Sequence, residues 1–217
     1  MAWICPTVTV VNRDEFESQL KQAKSLSNRV HLDVSDGTFA PRKLLSFARM
    51  HWPRKILADI HVMSTHPHAE VAIALEKKPN LLVIHAESQI DFFDTAKKLS
   101  SNGIKAGIAI MPETDVSVVK QYIHAYDHAL IFSGNLGYQG GSIADKTLLG
   151  KIIQLKLLNP RLEIGWDGGV KDSNVFELVS HGVDVVNVGG FIQHSKSPKK
   201  AYAKLELALT EPKPYAK

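Results

Sequence analysis

A closed (β/α)8 barrel is the fold the sequence predicts, on three observations. Short runs rich in Val and Ile alternate with longer stretches of helical spacing. The alternation repeats eight times in 217 residues, about 27 residues per unit and near the ~30 of a βαβ element. No Pro/Gly/Ser-rich linker interrupts it, so residues 1–217 form one α/β domain of the TIM-barrel type. An open doubly wound sheet needs a glycine fingerprint at its first strand-to-helix turn, and none stands near the N-terminus.

The units follow in order. Ile4–Val11 is the first strand, and Asn12 caps a helix with Asp14 and Glu15 in its first turn. Arg29–Val34 is the second, followed by a poorly helical stretch, Pro41–Pro53. Ile56–Val62 is the third, with Pro67 opening a helix that runs to about Lys77. Leu81–His85 is the fourth, Ser88 caps a helix through Ser100, and Gly103 is its left-handed stop. Lys105–Ile110 is the fifth, with Thr114 capping a helix over Asp115–Ala125. His128–Phe132 is the sixth, and a Gly-rich loop, Ser133–Ser142, leads to a helix ending near Leu158. Leu162–Trp166 is the seventh, followed by helix Ser173–His181 and the stop Gly182. Val183–Val188 is the eighth, closed by Gly189-Gly190 and a last helix, Pro198–Leu209. Glu211–Lys217, with two prolines, reads as a loose tail.

Composition narrows the functional classes. Hydrophobic residues make up 44% and charged ones 22%, which excludes a disordered chain. Lys and Arg number 26 against 22 Asp and Glu, a mild excess of +4 without a basic run among aromatics, so nucleic acid is not the expected partner. No apolar stretch is long enough to span a membrane, and the start shows no basic and apolar leader pattern. The single cysteine, Cys5, fits a reducing compartment, so a cytoplasmic location is expected.

In a parallel barrel, chemistry gathers at the carboxyl ends of the strands. Strand two ends His31-Leu32-Asp33-Val34-Ser35-Asp36-Gly37, and His31 and Asp33, two apart, share a face. Strand three carries Asp59 and His61 in the same relation, and strand seven ends in Asp167. A lone strand histidine is ordinarily a bonded core group, but imidazoles and carboxylates from three strand ends form a donor set for a first-row divalent ion. His85 fits a supporting role behind it. His51, His66, His68, His124, His128, His181 and His194 read as surface or helix-end residues. Gly134, Gly137, Gly140 and Gly141 lie in the sixth loop, and the pairs Gly168-Gly169 and Gly189-Gly190 follow strands seven and eight. Such pairs let backbone amides approach an anion, which points to a phosphorylated small molecule.

These residues resemble the ribulose-phosphate 3-epimerase family, from Pro6-Thr7 to Gly189-Gly190. The most specific pieces are His-Leu-Asp-Val-Ser-Asp-Gly at 31–37, Asp-Ile-His-Val-Met at 59–63 and Asp-Gly-Gly-Val at 167–170. His85-Ala86-Glu87 and Pro112-Glu113-Thr114 match in character and place. The resemblance implies one divalent ion (Zn, Mn, Fe or Co) on His31, Asp33, His61 and Asp167, with Asp33 as proton acceptor and Asp167 as proton donor. It implies conversion of D-ribulose 5-phosphate to D-xylulose 5-phosphate in pentose phosphate metabolism, and a homo-oligomer. Substrate contacts are then expected from Thr7, His61, Met63, Gly137, Tyr138, Gln139, Gly140, Gly141, Gly168, Gly169, Gly189 and Gly190.

The chemistry suits those residue types. Inverting a carbon beside a ketone removes a proton from one face and returns one to the other, which two carboxyl groups do without moving. The enediolate between them carries oxygen charge that a cation stabilises. The chain also departs from the family: Ser35 and Phe132 stand where Met is usual, Thr7 and Gly190 where Ser is usual, and Leu136–Gly141 lacks the loop proline. Three alternatives therefore stay open. One is an epimerase of another ketose phosphate, such as allulose 6-phosphate. Another is a sugar-phosphate binder without turnover. The third is a lyase on the same barrel, although residues 31–37 lack the lysine such enzymes carry.

Overall fold

The structure is a computed structural model that describes residues 2–210; the expected loose tail lies outside the described residues. Eight strands form it: β1 (Trp3–Val8), β2 (Arg29–Ser35), β3 (Leu57–Met63), β4 (Leu81–His85), β5 (Lys105–Ile110), β6 (His128–Phe132), β7 (Glu163–Asp167) and β8 (Val185–Val188). Each pairs in parallel with the next, and β8 closes on β1 through the register Trp3 with Val185 and Cys5 with Asn187. The predicted (β/α)8 barrel is the observed one.

Strand alternation splits the apolar residues in two. Ile4 and Val8, Val30 and Leu32, Ile60 and Val62, Ile164 and Trp166 face the helices and join the main core. Leu81, Val83, Ala109 and Leu130 form a smaller cluster inside the barrel. Both faces are covered, which is why the strands read as near-continuous hydrophobic runs. Around them pack α1 (Arg13–Leu26), α2 (His68–Lys77), α3 (Phe92–Ser101), α4 (Leu149–Leu158), α5 (Val175–Ser180), α6 (Gly190–Gln193) and α7 (Pro198–Thr210). The Asn12 cap forms as expected, its Oδ1 accepting from the Glu15 amide at 2.9 Å.

Several local expectations give way to competing contacts. The helix over Asp115–Ala125 is instead two 3-10 turns, Val116–Val119 and Ile123–Ala125. Three β-branched valines weaken the helix there, and Asp115 rather than Thr114 caps the first turn, at Ser117 N. Ser88 donates to the Ser64 carbonyl, so α3 starts later, after Asp91. The first strand stops at Val8, and the eighth begins at Val185. Pro41–Pro53 holds a single 3-10 turn, Phe47–Arg49. The four-residue α6 follows β8 where only a glycine turn is expected.

The amino-terminal end of the barrel is plugged by charge. Arg29 donates through Nε to Asp59 at 2.6 Å and through both Nη atoms to Glu163 at 2.8 Å. His128 Nδ1 lies 2.8 Å from Glu163, and Asn80 donates to Asp59 at 2.6 Å. Two expectations are corrected here. Asp59 shares a face with His61 but belongs to this plug, and His128 is a buried barrel residue rather than a surface one. Gly165 makes room for it, since a Cβ there would stand 2.4 Å from His128 Nε2.

Burial alone would raise the Glu163 pKa, but hydrogen bonds from Arg29 and His128 hold it well below the ordinary 4.5. The stability this contributes is complete above 4.5 and is lost as pH falls toward the folded-state value. Glu163→Gln is expected to cost about 3 kcal/mol near neutrality, because Arg29 loses a buried counter-charge. Urea unfolding across a pH series should also show a flatter acid limb in the variant than in the wild type.

Candidate metal and substrate site

At the opposite end of the barrel the inward side chains of β2, β3 and β7 meet. Register places Asp33 beside His61, and His31 lies two residues deeper on the same face of β2. Asp167 is the last residue of β7. Among the described residues, His31, Asp33, His61 and Asp167 are the one group that offers a metal four donors, all within 4.8 Å of one another.

The spacing fits a first-row ion. Asp33 Oδ1 lies 3.3 Å from His31 Nε2 and 3.1 Å from His61 Nδ1, and Asp167 Oδ2 lies 3.6 and 3.8 Å from the same nitrogens. A tetrahedral ion with bonds of about 2.1 Å sets its donors roughly 3.4 Å apart. His31 Nε2 is buried and has no hydrogen-bond partner, an arrangement that is costly unless something else satisfies it. Burial lowers the His31 pKa, but Asp167 and Asp33 override that and push it up to about 10. Burial opposes Asp33 ionisation in turn, yet His31 and His61 hold its pKa well below the usual carboxylate range. The two carboxylates thus favour positive charge at this point, which a bound cation can supply.

Supporting contacts aim the donors. Thr9 Oγ1 donates to Asp33 Oδ2 at 2.6 Å, which leaves Oδ1 turned to the imidazoles. His61 Nε2 lies 2.8 Å from His85 Nε2, and His85 Nδ1 lies 3.4 Å from Glu87 Oε2. Glu87 Oε1 accepts from the Met111 amide at 3.1 Å and from the Thr114 hydroxyl. If His61 Nδ1 offers its lone pair to an ion, its Nε2 proton goes to His85, whose own proton then faces Glu87. Burial, the larger effect, pulls the His85 pKa down to about 4, so this ring is neutral at pH 7. Phe39 and Phe132 pack against it, with ring centroids 4.7 and 5.8 Å away.

A cavity of about 340 Å³ opens above the cluster. Asp33 and Asp167 line it, with Thr7, Met63 and Phe132 around them. His31 and His61 lie beneath the lining, and His61 is fully buried. Ser35 is also off the lining; its Oγ accepts from the Gly37 amide. The far wall is Gly137, Tyr138, Gln139, Gly140 and Gly141 from the sixth loop. Gln139 donates to the Thr7 carbonyl at 2.9 Å, and Tyr138 sits under the Arg42 guanidinium. Gly168, Gly169, Gly189 and Gly190 complete it.

Three of those glycines also let backbones touch. Gly168 and Gly169 have φ of +115° and +69°, and a Cβ on them would stand 2.2 Å from Ser133 C and 2.0 Å from Ala144 N. A Cβ on Gly190 would meet Gly140 Cα at 2.7 Å. Thr9, Lys171, Asn187 and His194 are among the polar lining residues that the sequence reading did not assign to the site. For Asn187 a signal existed, since it interrupts a run of valines in β8. Thr9 lies past the end of its strand, and its reach to Asp33 had no local signature.

The comparisons with known proteins agree with this geometry. The sequence model of the Ribulose-phosphate 3 epimerase family matches residues 3–192. The chain is 30% identical over 201 residues to a ribulose-phosphate 3-epimerase of Helicobacter pylori strain J99, covering 88% of this chain and 92% of that protein. It is 28% identical over 183 residues to the Aquifex aeolicus protein of the same name, covering 82% of each. Among solved structures, 3-keto-L-gulonate-6-phosphate decarboxylase from Vibrio cholerae superposes with a TM-score of 0.69 at 12% identity, over 98% of this chain and 99% of that one, a likeness of fold alone.

The hydrogen-bond chain behind His61 yields a prediction. His85→Phe keeps a ring between Phe39 and Phe132 but removes the bond to His61. Divalent-metal affinity, read by chelator competition, is expected to fall about tenfold or more while the circular dichroism stays unchanged.

Proposed function

The chain belongs to the ribulose-phosphate 3-epimerase family, and from that premise we propose that it inverts C3 of a ketose phosphate, D-ribulose 5-phosphate foremost. One observation carries the reading. Two carboxylates from different strands, Asp33 and Asp167, both line the cavity and both lie within 3.8 Å of one imidazole, His61. That arrangement supplies a base and an acid to one small volume, as inversion beside a carbonyl requires.

In this mechanism Asp33, kept ionised by His31 and His61, takes the C3 proton from one face. Asp167 delivers a proton to the other. A divalent ion (Zn, Mn, Fe or Co) held by His31, Asp33, His61 and Asp167 would supply Lewis-acid stabilisation of the enediolate charge. Thr9 fixes the Asp33 carboxylate, so it need not reorganise as charge develops. The phosphate is held by backbone amides around Gly168, Gly169, Gly189 and Gly190, all of which line the cavity. Met63 and Phe132 cover the reacting carbons and limit water. No long apolar helix capable of crossing a membrane occurs among the described residues.

The test is isotopic. With metal-loaded protein in D2O, deuterium should enter C3 of D-xylulose 5-phosphate. Asp33→Asn and Asp167→Asn should each lower kcat by roughly 10²–10⁴-fold with the fold retained. Absence of C3 exchange with ribulose 5-phosphate, allulose 6-phosphate and other ketose phosphates would sink the proposal. Treatment with a chelator should abolish turnover and lower Tm, and both should return on adding Zn or Mn.

A further inference from the structure

β8 reads Val-Val-Asn-Val, a single amide in a strand of valines. Val186 and Val188 face the outer core. Asn187 takes the inward face, in register with Asp167 on one side and Cys5 on the other. It is 3% exposed, its Oδ1 is buried without a partner, and its side chain makes no hydrogen bond among the described residues. A buried amide that pairs with nothing is destabilising, whereas a β-branched apolar residue would suit the strand. The fold gives no reason for this residue.

Its position supplies one. Asn187 lines the cavity beside Asp167 and stands two residues before Gly189. On β1, two residues beyond the partner Cys5, stands Thr7, whose Oγ1 is likewise buried and unpartnered. The uncommitted amide therefore sits between the carboxylate that handles C3 and the glycine turn that receives the phosphate. In a pentulose 5-phosphate, one hydroxyl-bearing carbon separates those two ends, C4. A hydroxyl both donates and accepts, so it pairs with either end of an amide.

We propose that Asn187 is a specificity-determining residue that binds the C4 hydroxyl, so that this site takes 4-hydroxylated ketose phosphates and rejects 4-deoxy ones. The placement of C3 beside Asp167 rests on the epimerase reading. The amide pairs only when substrate is present, and its unpaired state is the cost of that selectivity.

The experiment compares D-ribulose 5-phosphate with its 4-deoxy analogue, by turnover and by calorimetric Kd, on metal-loaded wild type, Asn187→Val and Asn187→Ala. Wild type should favour the 4-hydroxy compound by about ten- to hundredfold in kcat/KM and in Kd. Both variants should shrink that preference to about threefold or less. Asn187→Val should also keep or raise the ligand-free Tm, since it removes an unpaired buried amide. A purely structural Asn187 predicts the reverse: a lower Tm with discrimination intact, and that result overturns the proposal. So does equal binding of the two compounds by wild type, or binding of neither. A binding preference that the variants erase, in a protein that exchanges no C3 hydrogen, would instead sink the epimerase reading and leave the C4 subsite standing.

Discussion

Two imidazoles and two carboxylates share a buried space a few ångströms across, and the molecule is organised around keeping them there. Desolvating four such groups is unfavourable unless each finds opposite charge or a hydrogen bond. The barrel meets that condition by bringing residues from β2, β3 and β7 to one mouth, where Thr9 holds Asp33 and His85 lies against His61. The rigidity of a closed parallel sheet makes the arrangement durable, because no strand edge is free to slide.

The two ends of the barrel solve the same electrostatic problem differently. At the amino-terminal end, Arg29, Asp59, Glu163, His128 and Asn80 form a closed set of hydrogen bonds. At the carboxyl end, buried polar atoms of Thr7, His31, His85, Glu87 and Asn187 lack a hydrogen-bond partner. Satisfied polarity closes one mouth, and unsatisfied polarity marks the other as the place where a ligand completes the structure.

This contrast also explains what was legible in the sequence. The strands were readable because both faces of a parallel sheet are apolar, and β4, β5 and β6 fall on the expected residues. That His31 and Asp33 point together was readable because residues two apart on a strand share a face, and the family resemblance named the four side chains that the barrel brings within 4.8 Å of one another. The same rule does not say at which depth a residue lies, so Asp59, one step below His61, looked like a partner and is part of the plug. His128 misled for the same reason. Val116–Val119 misled because cap and apolar spacing suggested a helix that β-branching and the Asp115 turn prevented. Thr9 acts only on a strand distant in sequence, and no local pattern announces such a contact.

The contact between Gly140 and Gly190 has a consequence for how this protein can diverge. The sixth loop rests directly on the backbone that follows β8, with no room for a side chain at position 190. A serine or alanine there demands that the loop withdraw, and a withdrawn loop loses the hold of Gln139 on the first strand. Evolution, or an engineer grafting a relative's loop onto this scaffold, therefore has to exchange residues 136–141 and position 190 as one inherited block.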